Sequence, residues 1–197
     1  MSNGTYQTEG IVLNSLDQGE ADKLITVYTK EFGMMRLFAR GTRRPSSKLN
    51  KFLNIFSYAR FGFVSGKDSW HLIDAEDLEY FDEVFKNREK LFILGKALRF
   101  IERLHHGEGR DEDVFCLIKN TMDFLKAAPP ELFPEFELIF YAKALALLGY
   151  LDPSSLGENL ENLIGDNSFA DKLLILDEEE KKTIDKAVRE GIASSQL

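Results

Sequence analysis

The side chains best able to do chemistry in this sequence are cations gathered between Met34 and Lys67. This basic segment contains eight Lys and Arg residues and no Asp or Glu. Its cations are Arg36, Arg40, Arg43, Arg44, Lys48, Lys51, Arg60 and Lys67. The chain carries 25 cations against 33 acidic residues, so 17 against 33 remain outside the segment. A local positive field on an acidic chain indicates a polyanionic partner.

The first part of the basic segment, residues 34–40, alternates as a β-strand does. Successive side chains of a strand point to opposite faces, which predicts that Met35, Leu37 and Ala39 face a core. The opposite face then carries Arg36, Phe38 and Arg40. Two guanidinium groups beside an aromatic ring suit single-stranded nucleic acid, because cations bind phosphates and the ring stacks on a base. Core packing of the Phe38 ring is the alternative interpretation.

A polar loop follows this strand. Gly41 ends the strand, and in the loop TRRPSSK the residue Pro45 interrupts regular structure. Serine hydroxyls in the loop can donate hydrogen bonds to phosphate oxygens. The predicted nucleic-acid-binding residues are Arg36, Phe38, Arg40, Arg43, Arg44, Ser47, Lys48, Lys51 and Arg60.

Strand-like alternation resumes over residues 56–64. It predicts one face with Phe56, Tyr58 and Arg60 and another with Ala59, Phe61 and Phe63. The Tyr58 ring, like that of Phe38, is then either a stacking platform or part of the core.

No residue pattern in the sequence indicates catalysis or a bound cofactor. Glycine-rich phosphate loops and nucleophile motifs are absent, and the histidines are His71, His105 and His106. A single cysteine, Cys116, excludes an intrachain disulfide and a CxxC zinc site, and its apolar neighbours predict that it is buried. We therefore expect a protein that is not an enzyme and uses no cofactor. No apolar run is long enough to cross a membrane, so we expect a cytoplasmic location.

The pattern of elements changes near residue 80. Short strands are predicted at 8–15, 23–29, 34–40, 56–64 and 70–75, which fits an OB-type barrel, with an SH3-like barrel as competitor. Helices are predicted at 87–106, 111–127, 131–148, 158–164 and 178–193. The predicted fold class is α+β, with an OB-type nucleic-acid-binding domain at 1–80 and an all-α domain at 81–197.

Several segments, in order, resemble the RecO family of bacterial recombination mediators. They are IVLNS, GEADKLITVYT and ARGTRRPSSKL, followed much later by FELIFYAKALALLGY. The resemblance implies an OB-fold domain and a helical domain that bind single- and double-stranded DNA, anneal complementary strands and assist recombinase loading. Implied partners are RecR and the tail of single-strand-binding protein. Implied DNA contacts are Arg36, Arg40, Arg43, Arg44, Lys48 and Lys51.

One departure from this family concerns metal. Many members carry a four-cysteine zinc module after the helix that matches LLGY, but here LLGY runs into LDPSSLGENLENLIGDNS without cysteine. We therefore expect no zinc and a shortened replacement segment within 150–176. The nearby rings of Phe133, Phe136, Phe140 and Tyr141 are either all core, or one is exposed beside a cation such as Lys143 and accepts an acidic, apolar peptide tail.

Two other functions remain open at this point. The same basic segment would serve an RNA-binding OB protein, because recognition of a 2′-hydroxyl cannot be deduced from sequence. It would also serve an interaction module that docks an acidic protein partner. Competition between matched DNA and RNA oligomers distinguishes an RNA-binding protein from a DNA-binding one. Absence of oligonucleotide binding at moderate salt would indicate the interaction module.

Overall fold

The computed structural model describes residues 4–67, 69–79, 82–104, 111–166, 168–169 and 176–195. It divides into two compact units, one formed by residues 1–81 with 107–115 and the other by 82–106 with 116–197. Among the described residues, no helix combines the length and apolar character needed to cross a membrane. His105 and His106 lie outside the described residues.

The first unit contains a closed barrel of five strands. The strands are β1 (Thr5–Gln18), β2 (Asp22–Thr29), β3 (Gly33–Ala39), β4 (Tyr58–Ser65) and β5 (Trp70–Glu79). Their order around the barrel is β1-β2-β3-β5-β4, and β1 closes the ring by pairing with β4. β3 and β5 run parallel, and the other neighbours are antiparallel. This is the OB-type barrel expected from the strand spacing.

A tight turn and an irregularity in β1 help to shape the barrel. Gly33 adopts a φ of 66° where β2 turns into β3, and the Thr29 hydroxyl donates to its carbonyl at 2.8 Å. β1 is longer than predicted because it pairs with two neighbours, and its register shifts between Val12 and Asn14. Such a bulge bends a strand, as closure of a small barrel requires. The predicted fourth strand began too early, since Phe56 lies in a turn with a φ of 74°.

Inward-facing side chains fill the barrel. Met35, Leu37 and Ala39 of β3 are buried, as the alternation predicted. Ala59, Phe61 and Phe63 of β4 are buried in the same cluster. Alternating burial therefore fixes which face of β3 is turned outward.

The second unit is helical. The helices of the chain are α1 (Asp82–Phe85), α2 (Arg88–Leu104), α3 (Glu112–Ala127), α4 (Phe133–Leu147), α5 (Glu158–Gly165) and α6 (Glu178–Ser194), and all belong to this unit except residues 112–115 of α3. Asn87 caps α2 by accepting from the backbone of Glu89 at 2.9 Å, and Asp177 forms a capping box with Glu180 at the start of α6. The predicted α+β class, an OB-type barrel followed by helices, is confirmed.

The aromatic residues of α4 belong to the core. Phe133, Phe136 and Phe140 are buried, while Tyr141 is half-buried with its ring centroid 4.7 Å from that of Phe100. Lys143 is completely buried. Lys143 is therefore not a cation beside an exposed ring. Cys116 is half-buried, so it is more exposed than the sequence predicted.

Candidate nucleic-acid interface

The outward face of β3 carries the three residues predicted there. Arg36 and Arg40 are exposed, and Phe38 between them is half-buried. The Arg40 guanidinium carbon lies 5.7 Å from the centre of the Phe38 ring. The face therefore presents one partly accessible ring with a guanidinium group on either side along the strand.

Phe38 also belongs to a row of side chains that crosses four strands. In register order the row runs from Leu16 of β1 through Leu24 of β2 and Phe38 to His71 of β5. Leu16 is 55% exposed, and the ring centroids of Phe38 and His71 lie 5.8 Å apart with the ring planes at 88° to each other. The row makes an open apolar strip beside the cations. Sequence reasoning missed it because the register of the hairpins was not known.

His71 holds the end of this row in place. Its Nε2 lies 3.2 Å from the Ser69 hydroxyl, and its Nδ1 is buried without a hydrogen-bond partner. A side chain at Gly66 would approach the imidazole to 2.7 Å, so glycine permits the close turn between β4 and β5. The imidazole thus supports the Phe38 ring from one edge.

The loop after β3 is anchored to the turn between β1 and β2. The Gly41 amide donates to the Asp22 carboxylate at 2.7 Å, and the Thr42 hydroxyl donates to the Ala39 carbonyl at 3.1 Å. Arg43 donates to the Gly19 carbonyl at 2.7 Å and pairs with the Asp17 carboxylate at 3.2 Å. Arg43 therefore joins two loops, and its charge is compensated within the barrel.

Lys51 and Arg60 are also compensated by neighbouring carboxylates. Lys51 lies 3.4 Å from Asp77 and 4.3 Å from the centre of the Phe52 ring. Arg60 lies 3.4 Å from Glu76, on the adjacent strand. A phosphate would have to compete with these carboxylates, so both contribute less to polyanion binding than their formal charge indicates.

Four predicted cations are open to a ligand: Arg36, Arg40, Arg44 and Lys48. All four are exposed, and within the described part of the chain none of them forms an ion pair with a carboxylate. We call them the open cations. Ser47 is half-exposed, and with Lys48 it lines a groove of about 690 Å³ that also includes Asn50. The open cations therefore extend from the face of β3 into the loop that follows.

Tyr58 is not a stacking platform. It is 7% exposed, and its hydroxyl donates to the Glu9 carboxylate at 2.8 Å. Of the two interpretations of the Tyr58 ring, a stacking platform or part of the core, packing in the core is the correct one. Phe56 shares no strand face with it, because β4 begins only at Tyr58.

Comparison with known proteins agrees with the geometry of the barrel. A family model described as Recombination protein O N terminal matches residues 1–81. A DNA repair protein RecO from Thermodesulfovibrio yellowstonii is 30% identical over 148 residues, which cover 74% of this chain and 58% of the relative. The protein of the same name from Rubrobacter xylanophilus is 33% identical over 147 residues, with the same two shares. That from Halalkalibacterium halodurans is 29% identical over 120 residues, or 61% of this chain and 47% of the relative.

The chain thus spans about half to three fifths of the length of these curated relatives. The alignments with the first two relatives are longer than the 81 residues that the family model matches, so they include part of the helical unit.

Proposed function

We propose that this chain is a DNA repair and recombination mediator rather than an enzyme, because residues 1–81 match the family model of the amino-terminal part of recombination protein O. It binds single- and double-stranded DNA, anneals complementary strands and assists the loading of recombinase. Its proposed partners are a RecR-like protein and the acidic tail of single-strand-binding protein. Its proposed place of action is the cytoplasm, where bacterial DNA is repaired.

The observation that carries this proposal is the outward face of β3. A base stacks on the half-buried Phe38 ring while Arg36 and Arg40 bind the flanking phosphates. Every base has a π-face and every nucleotide a phosphate, so this arrangement tolerates any sequence. The apolar neighbours Leu16 and Leu24 extend the surface on which further bases can rest.

The same geometry supports strand annealing. Stacking occupies the face of a base and ion pairing occupies its phosphate, so the Watson–Crick edge stays available to a complementary strand. Once base pairs form, phosphate contacts persist because they need no exposed base. Arg44 and Lys48, which lie in the loop beyond the stacking ring, are placed to bind the backbone of either form. Annealing by this route needs no nucleotide hydrolysis.

A salt titration with a fluorescent single-stranded oligomer tests the proposal. For single strands the slope of log K against log salt is about −0.7 for each phosphate neutralised. The four open cations therefore give an expected slope of about −2.8. The full basic segment, with its compensated cations engaged, would give a steeper value. A slope near zero, or no binding at moderate salt, would contradict the proposal and favour an acidic protein partner.

Competition with RNA oligomers of matched sequence tests the preference for DNA. Preference for DNA supports a role in repair, and a clear preference for RNA would point to an RNA-binding OB protein instead.

A further inference from the structure

The exposed side of α2 carries a second combination of cations and an aromatic ring. Five of its residues follow one another at intervals of four, four, three and four positions. They are Arg88, Phe92, Lys96, Arg99 and Arg103. This spacing places all five on one face of an α-helix. We call them the α2 stripe. At a rise of 1.5 Å per residue the stripe is about 22 Å long.

The ring of the α2 stripe is unusually accessible. Phe92 is 68% exposed, more than any other large apolar side chain among those the structure describes. Lys96 lies 5.6 Å from the centre of its ring and 2.7 Å from the Glu137 carboxylate. Burial lowers the pKa of Lys96, but the hydrogen bond and charge of Glu137 outweigh that effect and the pKa is raised. Lys96 is thus a charged, fixed neighbour of the ring.

The three arginines of the α2 stripe are open. Arg88, Arg99 and Arg103 are exposed, and no ion pair joins them to a carboxylate in the described part of the chain. Residues 81–197 contain 15 cations and 23 acidic residues, so the positive charge of this face is opposite in sign to the net charge of the surrounding sequence. Its charge therefore complements a polyanion.

We infer that the α2 stripe is a second binding site for single-stranded nucleic acid, which holds the complementary strand during annealing. This inference rests on the proposed annealing function. Guanidinium groups beside an exposed ring repeat the chemistry of Arg36, Phe38 and Arg40 on β3. The planar guanidinium group matches a phosphate with two hydrogen bonds, which favours arginine at such sites.

The exposure of Phe92 favours a strand over an acidic, apolar peptide. A docking peptide gains most from anchor side chains that fill well-packed, desolvated pockets. Phe92 instead presents its ring from the surface of a helix to solvent. Stacking with a base needs only an accessible ring, so this geometry suits a nucleobase. One chain can then hold two strands, each with its Watson–Crick edges free.

Co-retention of two non-complementary strands by the full chain tests this inference. A biotinylated oligo-dT is immobilised, the chain is added, and retention of a fluorescent oligo-dT is measured. The Arg99→Ala/Arg103→Ala variant and the Phe92→Ala variant should each lower retention of the second strand by about fivefold to a hundredfold. Affinity for the first strand should stay within about twofold, and the rate of annealing between complementary oligomers should fall with retention.

A matched control removes two cations from another helix of the same unit. Lys186 and Arg189 lie on α6 and pair with Glu190 at 3.9 Å and Asp185 at 2.9 Å. The Lys186→Ala/Arg189→Ala variant has the same net charge as the α2 double variant and should retain the second strand normally. Thermal melts of all variants check that the fold is kept, which the exposure of the substituted residues leads us to expect.

The outcomes separate this inference from the proposed function. If the unmodified chain binds no oligonucleotide, the proposed function itself fails. If it binds one strand but retains no second strand, or if the α2 variants retain the second strand normally, the inference is overturned while the proposed function stands. If the α2 variants instead lose only the binding of an acidic, apolar peptide, the stripe is a protein-docking surface and the inference is likewise overturned.

Discussion

Replacement of Phe38 by alanine separates stacking from charge at a single position of the barrel. The Phe38 ring is half-buried, with Arg40 at 5.7 Å and the His71 ring at 5.8 Å. The substitution removes the ring but leaves every cation of the face in place. It therefore changes the strength of binding without changing the number of phosphates neutralised.

The expected loss of binding follows from base stacking. Stacking of a base on an aromatic side chain contributes roughly 1–3 kcal/mol by alanine substitution. Phe38→Ala should therefore weaken single-strand binding by about fivefold to about a hundredfold. The salt slope should stay at the wild-type value of about −2.8, since Arg36 and Arg40 are untouched.

Folding stability should also fall, by a moderate amount. A fully buried phenylalanine costs about 3–5 kcal/mol when it is truncated to alanine. The Phe38 ring is only half-buried, so we expect a loss of about 2 kcal/mol from lost contact with Leu24 and His71. Phe38→Leu keeps most of the apolar volume without an aromatic face, and Phe38→Tyr keeps the ring.

Thermal melts and fluorescence anisotropy at several salt concentrations together decide whether a base stacks on the Phe38 ring. If stacking is responsible, the leucine variant should bind weakly despite near-normal stability, and the tyrosine variant should bind like the unmodified chain. Equal affinity of the alanine, leucine and unmodified proteins, measured where all are folded, would show that no base contacts this ring.

The other predictions concern charge, a buried lysine, a helix cap and pH. Arg44→Ala/Lys48→Ala should make the salt slope shallower by about 1.4, with little change in the thermal melt. Lys143→Met should lower stability by about 1.5–3 kcal/mol and speed hydrogen exchange in α5, because the carbonyls of Leu163 and Asp166 lose their charged donor. Asp177→Ala should cost about 1 kcal/mol in denaturant unfolding through loss of the α6 cap. Burial raises the pKa of the Asp123 carboxyl group, but hydrogen bonds and charge from its lysine partners outweigh burial, so the pKa in the folded state is lowered. The stabilisation by this carboxylate is lost as the pH falls through the folded-state pKa. In melts below that pH, the stability difference between Asp123→Asn and wild type should therefore vanish.

Features set by neighbouring residues could be predicted from the sequence. Alternation alone predicted that Arg36, Phe38 and Arg40 face outward, because the period of a strand is two and one face must be buried. The helices predicted to begin at 87 and 178 begin within one residue of those positions, since their caps, Asn87 and Asp177, bond to amides only two or three residues away. These inferences need no knowledge of where distant parts of the chain lie.

Features set by distant residues could not be predicted. The charge of Arg43 is compensated by Asp17, and that of Arg60 by Glu76, through pairings that form only when the barrel closes. A count of cations in the sequence therefore overstates the charge available to a ligand. The exposed Leu16 next to the stacking face was likewise hidden, because its position depends on the register of β1 against β2.

The buried Lys143 shows how the helical unit holds a segment for which the family resemblance implied a zinc module. α4 is surrounded by α2, α5 and α6, so even its lysine lies in the core. The ammonium group donates to the carbonyls of Leu163 and Asp166, at the carboxyl end of α5, and lies 5.7 Å from the Phe169 ring. Carbonyls at a helix end lack intrahelical donors and carry partial negative charge, so a cation there is stabilising. One ammonium group thereby attaches a short helix to the core through two carbonyls at the carboxyl end of that helix.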